Sequence, residues 1–484
     1  MRFGYLPWTM AERFGDAPAL ADGKVSLNFT EFDHRTEALA AQLAASGVGR
    51  GDVVAVMLPN QVELVVAVGA AWRLGAAVTP INPAFGQEEA SYQITDASAK
   101  IVIAPEAAEG LGAPVLPVAD IATIAHRTMP PAELAEDEIA MLIYTSGSTG
   151  KPKGVMLDHA NCEAMSTIMA DFCKLDAADH CMLILPLFHV NALFASVLAP
   201  LRVGGRTTII GRFSASTFFE YVERLRPTYF SAVPTIYALL AALPEDVKPD
   251  TSSLRFVSCG AAPVTQELLD ASKRRYGFRI IEGYGLTEAT CASAIGPVDG
   301  VLKTGTVGPA LPGVTIRIVG PDGQDMAPGE RGEVVIGGPT VMRGYLDRPE
   351  ATAETVIDGW LHTGDVGILD EDGYLSIVDR IKDMIIRGGE NLYPKEIEKT
   401  IAGLDGVLEV AVVGRPDPVL GEVPVAYVSV YPGSPLTGDD VIEHCRERLT
   451  RIKVPHEVTI IEQLPKNPVG KIDKPALRRL TSGA

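Results

Sequence analysis

Residues 145–154 read TSGSTGKPKG and directly follow an apolar run at 141–144. Gly147 and Gly150 let the chain bend with no Cβ in the way, so backbone N–H groups can turn inward onto an anion. The hydroxyls of Thr145, Ser146, Ser148 and Thr149 add donors, and Lys151 and Lys153 add positive charge. A cradle for a triphosphate is the chemistry this composition suits. It is not a Walker A loop, because Pro152 follows Lys151 and the glycine spacing differs. Further strings carry binding or reactive residue types: SCGAAP at 258–263, YGLTE at 284–288, HTGD at 362–365 and PKNPVGK at 465–471. Taken one at a time, each has an ordinary structural explanation. Tyr284 fits a core aromatic, Asp365 a turn or cap, Glu288 a solvated acid at a helix start, and Lys471 a surface lysine.

Such residues need a rigid frame. Behind Thr30, which reads as an N-cap, apolar residues recur at helical spacing until Gly47, and the β-rich run DVVAVML follows. Alternation continues with helix at 61–74, strands at 77–79, 100–103 and 139–144, and helix at 218–225. Strands and helices taking turns predict an α/β fold with buried, largely parallel strands. From Gly305 the chain turns to short β-rich pieces with turn signals such as Pro321-Asp322-Gly323, which predicts a β-subdomain over about 305–379. The last hundred or so residues, with helix at 394–401 and strands at 410–413 and 425–430, read as a small α+β unit. The expected division is an N-terminal domain of layered α/β sheets over 1–381 and a mobile C-terminal domain over 382–484.

The strings, in their order along almost the whole chain, resemble the adenylate-forming superfamily of acyl-CoA synthetases, 4-coumarate ligases, luciferases and peptide-synthetase adenylation domains. By that resemblance 145–154 holds the ATP phosphates, and Gly260, Ala261, Ala262 and Pro263 run along the adenine. Tyr284 stacks on the base with Glu282, Gly283 and Gly285 around the nucleotide, Thr287 holds the α-phosphate, and Glu288 binds Mg2+. A hard cation shared between a carboxylate and phosphates is chemically reasonable there. Asp365 matches the carboxylate that accepts from both ribose hydroxyls, with Arg380 as the second ribose contact. Lys471 falls on the catalytic lysine that bridges carboxylate and α-phosphate as charge builds.

The implied reaction is adenylation of a carboxylic acid with loss of pyrophosphate, then transfer of the acyl group to coenzyme A. The C-terminal domain would rotate about Lys382, withdraw Lys471 and bring in the RGGEN loop, where Gly388 and Gly389 leave room for pantetheine beside Glu390. The segment PLFHVN at 186–191 resembles the acyl-pocket wall, with His189 as a gate and Val190, Asn191, Ala192, Val233, Gly283 and Leu286 as lining. Peptide-synthetase domains for α-amino acids place an Asp after the aromatic to pair the ammonium group; this chain has Val190. The expected lining holds no Arg or Lys, which disfavours a dicarboxylate. An apolar acyl or aryl acid is the expectation, and a stand-alone enzyme loading an acyl carrier protein is the alternative.

Bulk properties agree with an enzyme of this kind. The 484 residues, 47% of them hydrophobic, exceed one ordinary core and imply two or more compact units. A formal net charge of -19 opposes binding to nucleic acid or anionic lipid. Six scattered cysteines without a CxxC pair suggest neither disulfides nor zinc. With no basic start before an apolar run and no stretch long enough to span a bilayer, a cytoplasmic location is expected. Little precedes the first predicted helix, so an N-terminal dimer contact found in some relatives is expected to be reduced, and a homodimer stays open.

Overall fold

The computed structural model describes residues 3–145, 151–262, 264–431, 433–466 and 472–481. By its internal contacts the chain forms two compact units. One comprises Met1–Val264, Leu268–Ile316 and Ile336–His362; the other comprises Thr265–Glu267, Arg317–Val335 and Thr363–Ala484.

The first unit has the layered α/β character that the alternation predicts. Its largest sheet has seven strands in the order Gly344–Tyr345, Lys153–Asp158, Ile139–Thr145, Ala77–Pro80, Val53–Val56, Ile101–Ala104 and Val115–Pro117. The strands from Ile139–Thr145 to Val115–Pro117 run parallel, and Lys153–Asp158 turns back against Ile139–Thr145. Helix Val62–Arg73 buries every residue except Glu63, as its nearly unbroken apolar sequence requires. A second sheet sets Ser231–Ala232, Val257–Cys259 and Ile280–Tyr284 parallel and adds Ala294–Ile295 antiparallel. A third orders Ser26–Asn28, Pro18–Ala21, Arg206–Ile209 and His180–Leu183.

One helix start differs from the expectation. The first long helix is Phe29–Ala45, and its N-cap is Asn28, not Thr30. Asn28 Oδ1 accepts from the Glu31 N–H at 2.7 Å while the Glu31 carboxylate accepts from the Asn28 N–H at 2.9 Å. This reciprocal box satisfies two orphan donors, so it outcompetes a lone threonine two residues later.

The β-rich stretch beyond residue 305 forms a five-stranded sheet of Thr315–Val319, Gly332–Gly337, Trp360–Leu369, Val356–Ile357 and Leu375–Arg380. Within the second unit a five-stranded sheet is built on the long pair Val407–Asp417 and Gly421–Val430. Helices Pro394–Ala402 and Gly438–Arg448 supply Ile397, Ile401, Val441 and Cys445 to its core. All six cysteines are buried and unpaired. Among the described residues no helix is long and apolar enough to cross a membrane.

Candidate nucleotide and acid site

Thr145 and Lys153 are register partners on the antiparallel pair Ile139–Thr145 and Lys153–Asp158, so the glycine-and-hydroxyl loop is the hairpin loop joining two strands of the main sheet. Ser146, Gly147, Ser148, Thr149 and Gly150 lie outside the described residues. What flanks them is held tightly. Gly154 faces Tyr144, where an added Cβ would come within 3.1 Å of the ring. The Tyr144 hydroxyl donates to Asp96 Oδ2 at 2.8 Å, and Arg348 donates to Asp96 Oδ1 at 2.8 Å. Burial, followed by the hydrogen bond to Asp96, raises the Tyr144 hydroxyl well above its usual value, so it remains a donor.

One turn earlier on the same helix, Gln87–Asp96, Tyr92 serves the other side of the loop. Its hydroxyl donates to the Pro152 carbonyl at 3.0 Å, and the Lys151 ammonium lies 5.0 Å from its ring centre. Residues at i and i+4 share a helix face. That spacing lets one helix grip both flanks of the hairpin loop. The sequence reading missed Tyr92, Asp96, Tyr144 and Arg348; the only signal was a Tyr and an Asp four apart on a polar helix.

The segments expected beside adenine lie at the carboxyl ends of parallel strands, where open α/β sheets bind ligands. Cys259 pairs with Glu282, so Gly260 to Ala262 leave their strand beside Gly283 and Tyr284, which still pair with Ile295 and Ala294. Ala261 takes a left-handed φ of 69°, and a Cβ on Gly260 would sit 3.3 Å from the Gly283 carbonyl oxygen. At Gly285 the constraint is absolute, because a Cβ would lie 1.9 Å from the Cys291 carbonyl oxygen. Pro263 lies outside the described residues. Glu282 is half-buried, and that burial raises its carboxyl to about 7.

Thr287 and Glu288 sit on the 3₁₀ turn Thr287–Ala289, which Thr290 ends with a φ of 67° and a buried 2.6 Å hydrogen bond to the Thr340 carbonyl. The Glu288 carbonyl accepts from the Met342 N–H at 2.9 Å. Glu288 Oε1 accepts from the Tyr345 hydroxyl at 2.9 Å, and the Lys153 ammonium lies 4.8 Å from the centre of the same tyrosine ring. The structure thus brings Lys153, Tyr345 and Glu288 into one contact chain.

His189 stands at the residue before the helical turn Val190–Leu193 and packs against Phe188, ring centres 4.5 Å apart. Asn191 Oδ1 accepts from the buried Ser231 hydroxyl at 2.8 Å, and Ala192 is fully buried. Val233 is the residue before helix Pro234–Ala241, and Leu286 is half-buried after Gly285. The turn Val190–Leu193 runs into a π-helical stretch, Phe194–Leu198. Buried hydroxyls reach its carbonyls: Tyr229 to Ala195 at 2.9 Å and Thr207 to Ser196 at 2.6 Å.

In the second unit Asp365 and Arg380 are register partners, and Arg380 Nε lies 2.9 Å from Asp365 Oδ1. Gly388 and Gly389, with φ of 61° and 87°, form the turn of a hairpin in which Arg387 pairs with Glu390. Two consecutive positive φ values at a two-residue turn are why both positions are glycine. Lys382 belongs to the 3₁₀ turn Ile381–Asp383, where the side chain of Arg478 reaches the Asp383 carboxylate at 2.7 Å. Lys471 lies outside the described residues.

Comparison with known proteins agrees with this layout. The AMP-binding enzyme family matches residues 8–346, and the AMP-binding enzyme C-terminal domain matches residues 396–471. A feruloyl-CoA synthase of an Amycolatopsis species is 38% identical over 98% of both chains. The crystal structure of ATP-bound MatB from Rhodopseudomonas palustris superposes with a TM-score of 0.92 at 31% identity, covering 99% of each chain. The o-succinylbenzoate coenzyme A synthetase (MenE) from Bacillus subtilis, in complex with ATP and a magnesium ion, gives 0.88 at 30% identity, covering 98% of each. With residues 8–346 and 396–471 both matched, the chain belongs to the AMP-binding enzyme family.

Proposed function

We propose that the protein is an AMP-forming acid–thiol ligase, which adenylates a carboxylic acid with ATP and passes the acyl group to coenzyme A. The observation that carries this is the convergence of Lys153, Tyr345 and Glu288 beside the hairpin loop, just beyond the carboxyl ends of parallel strands, in a chain whose relatives over nearly its full length are CoA ligases. Those relatives also disfavour the carrier-protein alternative.

In the first half-reaction a carboxylate oxygen attacks the α-phosphorus and pyrophosphate leaves. Two anions must be aligned and the growing charge neutralised, which is mostly positioning and electrostatics. The hydroxyls and N–H groups of 145–150, with Lys151 and Lys153, hold the β- and γ-phosphates. Thr287 donates to the α-phosphate, Tyr284 stacks on adenine beside Gly260 to Pro263, and Asp365 and Arg380 take the ribose hydroxyls. Lys471 supplies the cation between acid and α-phosphate. In the second half-reaction the thiol attacks the acyl carbonyl and AMP leaves, after residues 382–484 turn about Lys382 and present the Gly388-Gly389 hairpin with Glu390.

Mg2+ fits the donor set. No group of three or more His, Cys, Asp or Glu among the described residues could hold a metal unaided. Glu288, one carboxylate next to the Thr287 hydroxyl, is what a magnesium ion shared with nucleotide phosphates requires. When bound, the ion neutralises phosphate charge.

The acid is an apolar acyl or aryl compound. Val190 offers nothing to pair a substrate ammonium group, and the wall residues His189 to Ala192, Val233 and Leu286 carry no Arg or Lys. A relative named for feruloyl-CoA formation points to the same class. The test is ATP–pyrophosphate exchange over acids of graded length and ring content, followed by mass detection of thioester with coenzyme A or with an acyl carrier protein. Exchange with none of the acids would overturn the proposal; thioester on the carrier protein alone would replace the acceptor.

A further inference from the structure

The dipeptide Gly344–Tyr345 forms a short strand antiparallel to Lys153–Asp158, with Tyr345 opposite Val155. Its backbone is pinned. Gly344 takes a φ of 138°, a Cβ there would lie 2.7 Å from the Thr352 methyl carbon, and the Tyr345 N–H donates to the Thr352 hydroxyl at 2.9 Å. The side chain is only 8% exposed, and it touches two groups of opposite charge at once: the Lys153 ammonium over its ring face and the Glu288 carboxylate at its hydroxyl.

We propose that Tyr345 is a positioning residue that sets two nucleotide-binding groups together, its ring holding the Lys153 ammonium and its hydroxyl orienting the Glu288 carboxylate. This rests on the reading of Lys153 as a phosphate contact and Glu288 as the magnesium ligand. Lysine is a point charge on a flexible stem, and a single carboxylate can rotate. Tyr345 removes both freedoms through one rigid ring, before nucleotide arrives.

The test is binding of a fluorescent ATP analogue to the full chain, first without divalent ion and then across a Mg2+ titration. Tyr345→Phe keeps the ring and loses the hydroxyl. It should bind metal-free nucleotide like the wild type, while the Mg2+ midpoint rises about tenfold, as for other outer-sphere partners of metal ligands. Tyr345→Leu should also weaken metal-free nucleotide binding, by about threefold for a lost cation–π contact. In a Glu288→Gln background the Phe substitution should no longer move the midpoint. An unchanged midpoint in Tyr345→Phe, or an equal shift with and without the Glu288 carboxylate, overturns the proposal. If Tyr345→Leu fails to fold, Tyr345→Phe alone decides. A wild type that binds no nucleotide overturns the functional reading along with this one; a wild type that binds, with Tyr345→Phe unchanged, overturns this one alone.

Discussion

The Tyr144 hydroxyl donates to Asp96 Oδ2 at 2.8 Å, which ties the strand entering the glycine-and-hydroxyl loop to the C-terminal end of helix Gln87–Asp96. The other Asp96 oxygen takes Arg348, so one carboxylate, largely buried, holds a phenol and a guanidinium. Asp96→Ala leaves both without their acceptor. The expected cost is about 1–3 kcal/mol of stability, and the KM for ATP should rise with little change in the KM for the acid. Urea denaturation and steady-state kinetics on the same variant check both.

Gly285 has no room for a side chain. A Cβ 1.9 Å from the Cys291 carbonyl oxygen would force two backbone segments apart, directly before Thr287 and Glu288. Gly285→Ala should therefore abolish pyrophosphate exchange. Gly389→Ala is the contrasting case, since nothing lies within 4 Å and only the φ of 87° is unfavourable. It should cost about 1 kcal/mol and leave exchange intact, impairing thioester formation alone.

Glu282 gives a pH dependence of unusual sign. Burial raises its carboxyl from 4.5 to about 7, so between those values the folded chain keeps a proton that the unfolded chain has released. Its contribution to stability therefore falls as pH rises through that window and levels off above about 7. Glu282→Gln, compared with wild type by thermal melting without nucleotide, should be the more stable protein at pH 8 and lose that advantage by pH 4. A difference that stays constant across the range would contradict the burial argument.

The π-helical stretch Phe194–Leu198 is held by Thr207 and Tyr229, whose hydroxyls reach the Ser196 and Ala195 carbonyls. Thr207→Val and Tyr229→Phe keep the shape and remove the bonds, at about 1 kcal/mol each. Because this stretch continues from the turn that carries His189 to Ala192, the KM for the acid should rise several-fold while the KM for ATP stays put. Thr207→Ser should restore the wild-type value.

Lys471→Ala should abolish adenylation yet leave thioester formation from a pre-made acyl-adenylate largely intact. Lys382→Pro, which fixes φ and removes an N–H, should impair the second half-reaction more than the first. Equal loss of both half-reactions in Lys382→Pro would place the hinge elsewhere.

The amino-acid sequence by itself determined the α/β alternation and the residue types gathered in the glycine-and-hydroxyl loop. Periodicity and residue type are local properties, and helix Val62–Arg73 and strand Ile139–Thr145 each lie within a residue of where those properties place them. Capping was less legible: Thr30 and Asn28 are both good caps by type, and the choice between them rests on Glu31 reaching back to Asn28. What only the tertiary structure decided is which side chains hold the residues flanking that loop. Tyr92 and Asp96 precede it by half a hundred residues, and Tyr345 and Arg348 follow it by far more. Such groups have no local signature, because a tyrosine that orients a carboxylate and one that fills a core look the same along the chain. Only the pairing of distant strands, Gly344–Tyr345 laid against Lys153–Asp158, brings a ring under one lysine and a hydroxyl onto one glutamate.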